Sequence, residues 1–223
     1  MKIKNEKEAL QMFCENKGTI YDNPFINVMD NDRLMATDRK VMILVDNSLL
    51  QETYEAHSQR LPNFDTTENT DINIPFANID KAFSQFELVP ETIRIDGDIE
   101  KCPECNGTGL VDYTYFADNG RTYDKECDCP ICDGTGTYRA QKIVETGRMV
   151  PSNFSYYQLN GVYFAAKLFN RVVEALRLMG FESMRLKSCK PKDPNKFIVC
   201  DGIELWIMPC VDIDTKIAQI ATL

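Results

Sequence analysis

The chain has 223 residues, 43% of them hydrophobic, enough for one large domain or two small ones with a substantial core. A formal charge of -9 and a pI near 4.8 exclude general electrostatic attraction to nucleic acid or anionic membrane. No run approaches the roughly 18 to 20 apolar residues of a membrane span, and the stretch from Met1 to Glu6 lacks the apolar core of a signal peptide, so the expectation is a soluble, cytoplasmic protein without membrane contact.

A first helix is expected over Asn5 to Asn16, where Asn5 can cap, Glu8 stands three residues on, and Ala9, Leu10, Phe13 and Cys14 form an apolar stripe. The runs Pro24 to Met29, Leu34 to Thr37 and Val41 to Val45, separated by Asp- and Asn-rich turns, read as a strand meander. Residues 56–73 are polar and read as a long connection. A second helix follows Pro75, with Phe76, Ile79, Phe83 and Phe86 spaced three and four apart, and Glu91 to Ile95 reads as a strand.

The segment 100–138 carries five of the nine cysteines and few aliphatic side chains, so something other than apolar burial must hold it together. Arg139 to Val150 can return as a strand. Val162 to Met179 has the strongest helical pattern, with Phe164, Leu168, Val172, Leu176 and Met179 on one side, Lys167, Arg171, Glu174 and Arg177 on another, and Gly180 suited to the C-terminal turn. Ser183 to Lys187, Phe197 to Cys200 and Glu204 to Met208 read as strands. The expected organisation is an α+β fold with an N-terminal part over 1–99, an insert over 100–138, and a C-terminal part over 139–223 that completes the main domain.

Cys102-Pro-Glu-Cys105-Asn-Gly107-Thr-Gly109 and Cys129-Pro-Ile-Cys132-Asp-Gly134-Thr-Gly136 are two copies of one pattern. Two residues between cysteines let both sulfurs reach one ion at about 2.3 Å, and the neighbouring glycines can adopt positive φ and turn N–H groups toward the thiolates. Cys102, Cys105, Cys129 and Cys132 are therefore the expected ligands of a single Zn²⁺, the only cofactor implied. Thiolates alone also suit iron or an iron–sulfur cluster, and redox pairs or disulfides are the competing uses of such cysteines. Cys127 is a fifth thiol two residues before Cys129 and could replace a ligand if the register shifted, but the matching repeats favour Cys129; Cys14, Cys189, Cys200 and Cys210 are expected to pack as small hydrophobes.

The paired pattern resembles the cysteine-rich domain of DnaJ chaperones, in which pairs of repeats share a zinc ion. Two repeats imply one ion. No His-Pro-Asp tripeptide of the J-domain is present, so the resemblance is confined to 102–136 and does not bring chaperone activity with it.

Outside the finger, Arg33-Leu34-Met35-Ala36-Thr37-Asp38-Arg39-Lys40-Val41 is similar to the Ala-Thr-Asp-Gly-His-Arg-Leu segment of the bacterial DNA polymerase sliding clamp, with Arg39 and Lys40 in place of Gly-His. The run Val162 to Met179, Met184 to Leu186, Phe197 to Val199 and Leu205 to Pro209 resembles the clamp's closing helix, three strands and terminal Met-Pro, and Ile72 to Phe76 fits as well. The resemblance implies sliding-clamp-like helices on antiparallel sheet, interrupted by a four-cysteine zinc-finger hairpin. It also implies DNA or a replication or repair protein as partner, and several copies of the chain if a ring forms. Lys167, Arg171 and Arg177 are then the candidate phosphate contacts. The tail Gln219 to Leu223 has a faint likeness to the short clamp-binding peptide of replication proteins.

The functional expectation is a non-enzymatic zinc-binding protein, DNA-binding or accessory to DNA metabolism. The alternative is a protein-interaction or chaperone-accessory module presenting the finger, with Tyr113-Thr114-Tyr115-Phe116 as its aromatic surface. No Gly-rich phosphate loop, Gly-x-Ser-x-Gly elbow or His-based metal motif is present, and His57 stands without a nucleophile motif.

Overall fold

The computed structural model describes residues 3–14, 19–61, 64, 67–214 and 218–223. In chain order the elements are α1 (Glu6–Gln11), β1 (Phe25–Asn27), β2 (Arg33–Thr37), β3 (Val41–Val45), β4 (Ala56–His57), β5 (Ile72–Pro75), α2 (Phe76–Phe83), β6 (Leu88–Lys101), β7 (Leu110–Phe116), β8 (Thr122–Asp128), β9 (Thr137–Pro151), β10 (Ser155–Leu159), β11 (Val162–Ala165), α3 (Ala166–Leu178), β12 (Ser183–Leu186), β13 (Asn195–Cys200), β14 (Ile203–Ile207) and β15 (Gln219–Thr222). Strands dominate, with three α-helices among the described residues. The chain divides into one unit of Met1–Val89 with Val150–Leu223 and a second of Pro90–Met149.

The larger unit is built on an eight-stranded sheet in the order β4-β1-β2-β3-β14-β13-β12-β5. All its pairings are antiparallel except β1 with β4. One face carries Leu34, Ala36, Val41, Ile43, Val45, Leu205 and Ile207, packed with Leu10 of α1, Ile79 of α2, and Phe169, Val172 and Leu176 of α3 in one core. Burial of each such large side chain stabilises by about 1.5–3 kcal/mol. The other face carries Phe25, Met35, Met42, Leu44 and Trp206, covered in part by Tyr21, Leu61 and Phe64. Because both faces are covered, β3 is buried at every position, which is why Val41 to Val45 reads as an unbroken apolar run rather than an alternation.

A second sheet, β11-β10-β15, completes this unit. β10 and β11 form a hairpin through Asn160 (φ 48°) and Gly161 (φ 81°), the Asn-Gly pair favoured where two successive residues need positive φ. β15 lies parallel to β10, pairing Tyr156 with Ile220 and Tyr157 with Ala221.

Several expectations are corrected. The sheets are not wholly antiparallel, since β4 and β15 each add in parallel. The first helix stops at Gln11, and Asn5 (φ 45°) does not cap it; its amide donates to the Leu178 carbonyl at 3.2 Å, while Glu15 and Asn16 lie outside the described residues. The third helix begins at Ala166, not Val162. Val162 and Phe164 are buried with Tyr163 and Ala165 half-buried between them, a period of two that the helical stripe downstream had absorbed. The connection over 56–73 contains β4, which adds to β1, and the start of β5. The expected divisions at 99/100 and 138/139 stand within β6 and β9, which pair as a two-stranded sheet, and the second compact unit spans Pro90–Met149.

Candidate metal centre and surface cavity

Within the Pro90–Met149 unit, β7 and β8 form a hairpin in which Tyr115 faces Tyr123 and Val111 faces Cys127. The two cysteine repeats stand at its base and match each other bond for bond. Asn106 and Gly107 (φ 52° and 88°) answer Asp133 and Gly134 (φ 49° and 77°). The Gly109 N–H donates to Cys105 Sγ at 3.2 Å, and that of Gly136 to Cys132 Sγ at 3.3 Å. Thr108 Oγ1 donates to the Cys105 carbonyl at 2.8 Å, and Thr135 Oγ1 to that of Cys132 at 2.7 Å. The repeats also clasp each other: the Cys102 N–H donates to the Gly136 carbonyl at 2.9 Å, and the Cys129 N–H to the Gly109 carbonyl at 2.8 Å. A Cβ on Gly109 would lie 2.3 Å from the Gly134 oxygen, and one on Gly136 would lie 2.4 Å from the Gly107 oxygen. Only glycine fits there.

This arrangement gathers Cys102, Cys105, Cys129 and Cys132, all buried, with every sulfur within 4.8 Å of the others. Cys102 Sγ stands 3.7 Å from Cys129 Sγ, and Cys105 Sγ 3.8 Å from Cys132 Sγ. A tetrahedron with a 2.3 Å metal–sulfur distance has an edge of about 3.8 Å, whereas a disulfide brings its sulfurs to about 2.05 Å. The four sulfurs can therefore hold a metal ion. Little else packs here: among the described residues only Val111 and Tyr138, both half-buried, join the cluster. Burial pushes the Cys105 thiol up, but the Gly109 and Gly107 N–H groups and the adjoining Cys102 and Cys132 thiols outweigh it and bring it down to about 6. Burial dominates at Cys129, which rises to about 11. Cys105 is thus favoured as a thiolate, whereas Cys129 resists ionisation without a cation beside it.

Cys127 lies outside the group, half-buried on β8 with its sulfur 3.8 Å from the Val111 carbonyl. Burial raises the thiols of Cys14, Cys189, Cys200 and Cys210, Cys14 to about 12, as befits packing groups rather than nucleophiles. His57, on β4, sets its ring edge-on to Phe25 at 5.1 Å and its Nε2 3.6 Å from the Glu55 carboxylate.

The three cations of α3 are engaged within the larger unit. Arg171 pairs with Asp38 in the β2–β3 turn, Arg177 reaches Asp80 of α2 at 2.7 Å, and Lys167 lies 3.4 Å from Asn153 Oδ1. A phosphate at Arg171 or Arg177 has to compete with a carboxylate already in place.

Sequence reasoning missed a cavity of about 410 Å³ against the Trp206 face of the eight-stranded sheet. Met35, Met42 and Trp206 line its apolar side, Phe64 stacks on Trp206 at 4.9 Å, and Arg39, Lys40 and Arg60 supply positive charge. Arg39 has φ 68° and places its guanidinium 5.1 Å above the Tyr21 ring. The two sequence segments quoted above, Arg33 to Val41 and Leu205 to Pro209, come together here: Thr37, Val41, Trp206 and Met208 all line the cavity, and the Met208 N–H donates to the Lys40 carbonyl at 2.9 Å. The available signal was the apolar outward row Met35, Met42, Leu44 and Trp206 on strands that already had a core face.

No protein-family profile matches the sequence, and no curated protein matches it. Solved structures do. The Caulobacter crescentus β sliding clamp, with polyethylene glycol bound, is similar at 10% identity and a TM-score of 0.43, over 94% of this chain and 64% of that one. The DNA polymerase III β subunit of Pseudomonas aeruginosa matches at 10% identity and a TM-score of 0.41, over 93% and 65%. The sliding clamp of Bartonella birtlesii bound to griselimycin matches at 10% identity and a TM-score of 0.44, over 92% and 64%. The chain spans just under two thirds of the length of these proteins.

Proposed function

We propose that the protein is a non-enzymatic, zinc-stabilised binding scaffold with a sliding-clamp-like larger unit, serving DNA metabolism as an accessory. The observation that carries the metal half of the reading is the pair of 3.7 and 3.8 Å sulfur–sulfur edges in a buried four-cysteine set. With four protein thiolates as ligands, Zn²⁺ keeps no position for water or substrate and serves as a structural tie for a segment that lacks an apolar core. The convergence of the two clamp-like sequence segments on one cavity supports the scaffold half.

The cavity's chemistry supports as ligand an apolar or aromatic side chain carried on an acidic segment of a partner protein, the ring meeting Trp206 and Met42 and the carboxylates meeting Arg39, Lys40 and Arg60. Lys167, Arg171 and Arg177 remain the candidate contacts for duplex DNA, each after giving up its present acceptor. Elemental analysis of the purified protein should find one zinc per chain, and Cys102→Ser or Cys129→Ser should abolish it; iron, or metal retained by both variants, rejects the assignment. Affinity for duplex DNA should fall steeply with salt and with Arg177→Glu. Indifference to both leaves the protein-binding cavity as the function.

A second reading is that the finger itself captures partner chains. In the β7–β8 hairpin Tyr113 faces Lys125 and Tyr115 faces Tyr123, all exposed, while the alternate positions carry Asp112, Asp124 and Glu126. Capture lost on Tyr115→Ala and Tyr123→Ala, with zinc content unchanged, favours this version. Among the described residues no helix is long and apolar enough to cross a membrane.

A further inference from the structure

The polar face of α3 and the cavity meet at Asp38. Its Oδ1 accepts the N–H groups of Lys40 and Val41, both at 2.9 Å, and its other oxygen takes the guanidinium of Arg171. The same turn is locked by Thr37 Oγ1, which donates to the Val41 carbonyl at 2.7 Å and accepts the Arg39 N–H at 2.9 Å. Asp38 and Thr37 together thus hold the turn that carries Arg39 and Lys40, which give this edge of the cavity its positive charge. The Asp38 side chain is only 13% exposed, against 36% for Arg171, so its charge is poorly screened and Arg171 is its neutralising partner. Among the described residues Arg171 Nε is buried with no hydrogen-bond partner.

We infer that Arg171 is a positioning and charge-balancing residue that couples polyanion binding on α3 to the cavity. Phosphate that engages Arg171 leaves the Asp38 carboxylate uncompensated beside Arg39 and Lys40, and an anionic ligand in the cavity is held less tightly. The coupling is reciprocal, so an anionic cavity ligand weakens polyanion binding by the same factor. A neutral ligand of the same shape is unaffected, because the change is in charge and not in shape. The inference rests on the reading of the cavity as a binding site.

Trp206 is the only tryptophan of the chain and lines the cavity, so energy transfer from it reports occupancy. Two naphthalene probes of similar size serve: anionic 1-anilinonaphthalene-8-sulfonate and neutral N-phenyl-1-naphthylamine. Arg171→Gln is expected to weaken the anionic probe on the order of fivefold and leave the neutral one unchanged. A duplex DNA oligonucleotide should weaken the anionic probe similarly in the wild type and not in Arg171→Gln. Asp38→Asn, which removes the offending charge while keeping an acceptor oxygen for the turn, should bind the anionic probe at least as tightly as the wild type. Equal weakening of both probes by Arg171→Gln, or DNA displacing the anionic probe from wild type and Arg171→Gln alike, overturns the coupling and leaves the cavity standing. Failure of both probes to bind the wild type overturns the cavity reading and the coupling with it.

Discussion

Replacing Gly109 by alanine tests the finger at its tightest point. The added Cβ would sit 2.3 Å from the Gly134 carbonyl oxygen, about 1 Å inside ordinary contact, and Gly109 has φ 82°. Holding alanine in the left-handed region costs about 1 kcal/mol. To relieve the overlap, the backbone must shift where the Gly109 N–H meets Cys105 Sγ at 3.2 Å and the Gly109 carbonyl meets the Cys129 N–H at 2.8 Å. Losing the first, a bond to a thiolate, costs about 1.5–3 kcal/mol, and weakening the second about 0.5–1.5. The total is about 3–5.5 kcal/mol, and because metal binding and folding of such a module are one equilibrium, it is read directly as zinc affinity. Competition with a chromophoric chelator should show the zinc dissociation constant of Gly109→Ala raised by roughly two to four decades. Gly120→Ala is the control, since Gly120 has the same handedness (φ 76°) but, among the described residues, nothing within 4 Å of an added Cβ; it should lose no more than about tenfold. Equal zinc affinity in the two variants would refute the claim that the clasped glycines hold the sulfurs in place.

Three other perturbations probe the larger unit. Glu6 is buried and accepts from the Gln51 N–H at 2.7 Å, the Glu52 N–H at 3.2 Å and the Tyr54 hydroxyl at 2.7 Å, so Glu6→Ala should cost about 3 kcal/mol in urea unfolding, and a loss under 1 would mean these donors find water instead. Arg177 and Asp80 are about half exposed, so Arg177→Ala should lower stability by no more than about 1 kcal/mol despite the 2.7 Å pairing distance. Cys14 keeps its proton to about 12 in the fold and to about 9 when unfolded. The unfolded state therefore binds fewer protons above pH 9, and this contribution to stability, complete below pH 9, is lost as pH rises toward 12. Wild type should lose stability over that window faster than Cys14→Val, measured by urea midpoints at fixed ionic strength; parallel curves would show that the thiol is not the titrating group.

What the sequence disclosed, and what it hid, follows from how local each determinant is. The gathering of the four cysteines was legible because a Cys-x-x-Cys knuckle is a local object, and the repeat of its flanking Gly-x-Gly revealed the partner knuckle without any knowledge of the path between them. The Val41 to Val45 and Glu204 to Met208 strands were legible as apolar runs, but a run does not say that its second face is also covered, and the cavity lies on that second face. β11 was read as helix because Phe164 satisfies the stripe of α3 as well as its own alternation with Val162; only the Asn160–Gly161 turn before it separates the two periods. β4 and β15 are short strands that join in parallel to partners 28 or more residues away, so no hairpin turn announces them. The charge pattern of α3 is the instructive case. Lys167, Arg171 and Arg177 align as a basic row, yet the acceptors Asp38 and Asp80 come from distant segments that only the fold brings beside them. A row of cations on a helix therefore measures formal charge, while attraction for phosphate depends on what neutralises that charge in three dimensions, and in this chain the neutralising group at Arg171 is the same carboxylate that shapes the cavity's cationic edge.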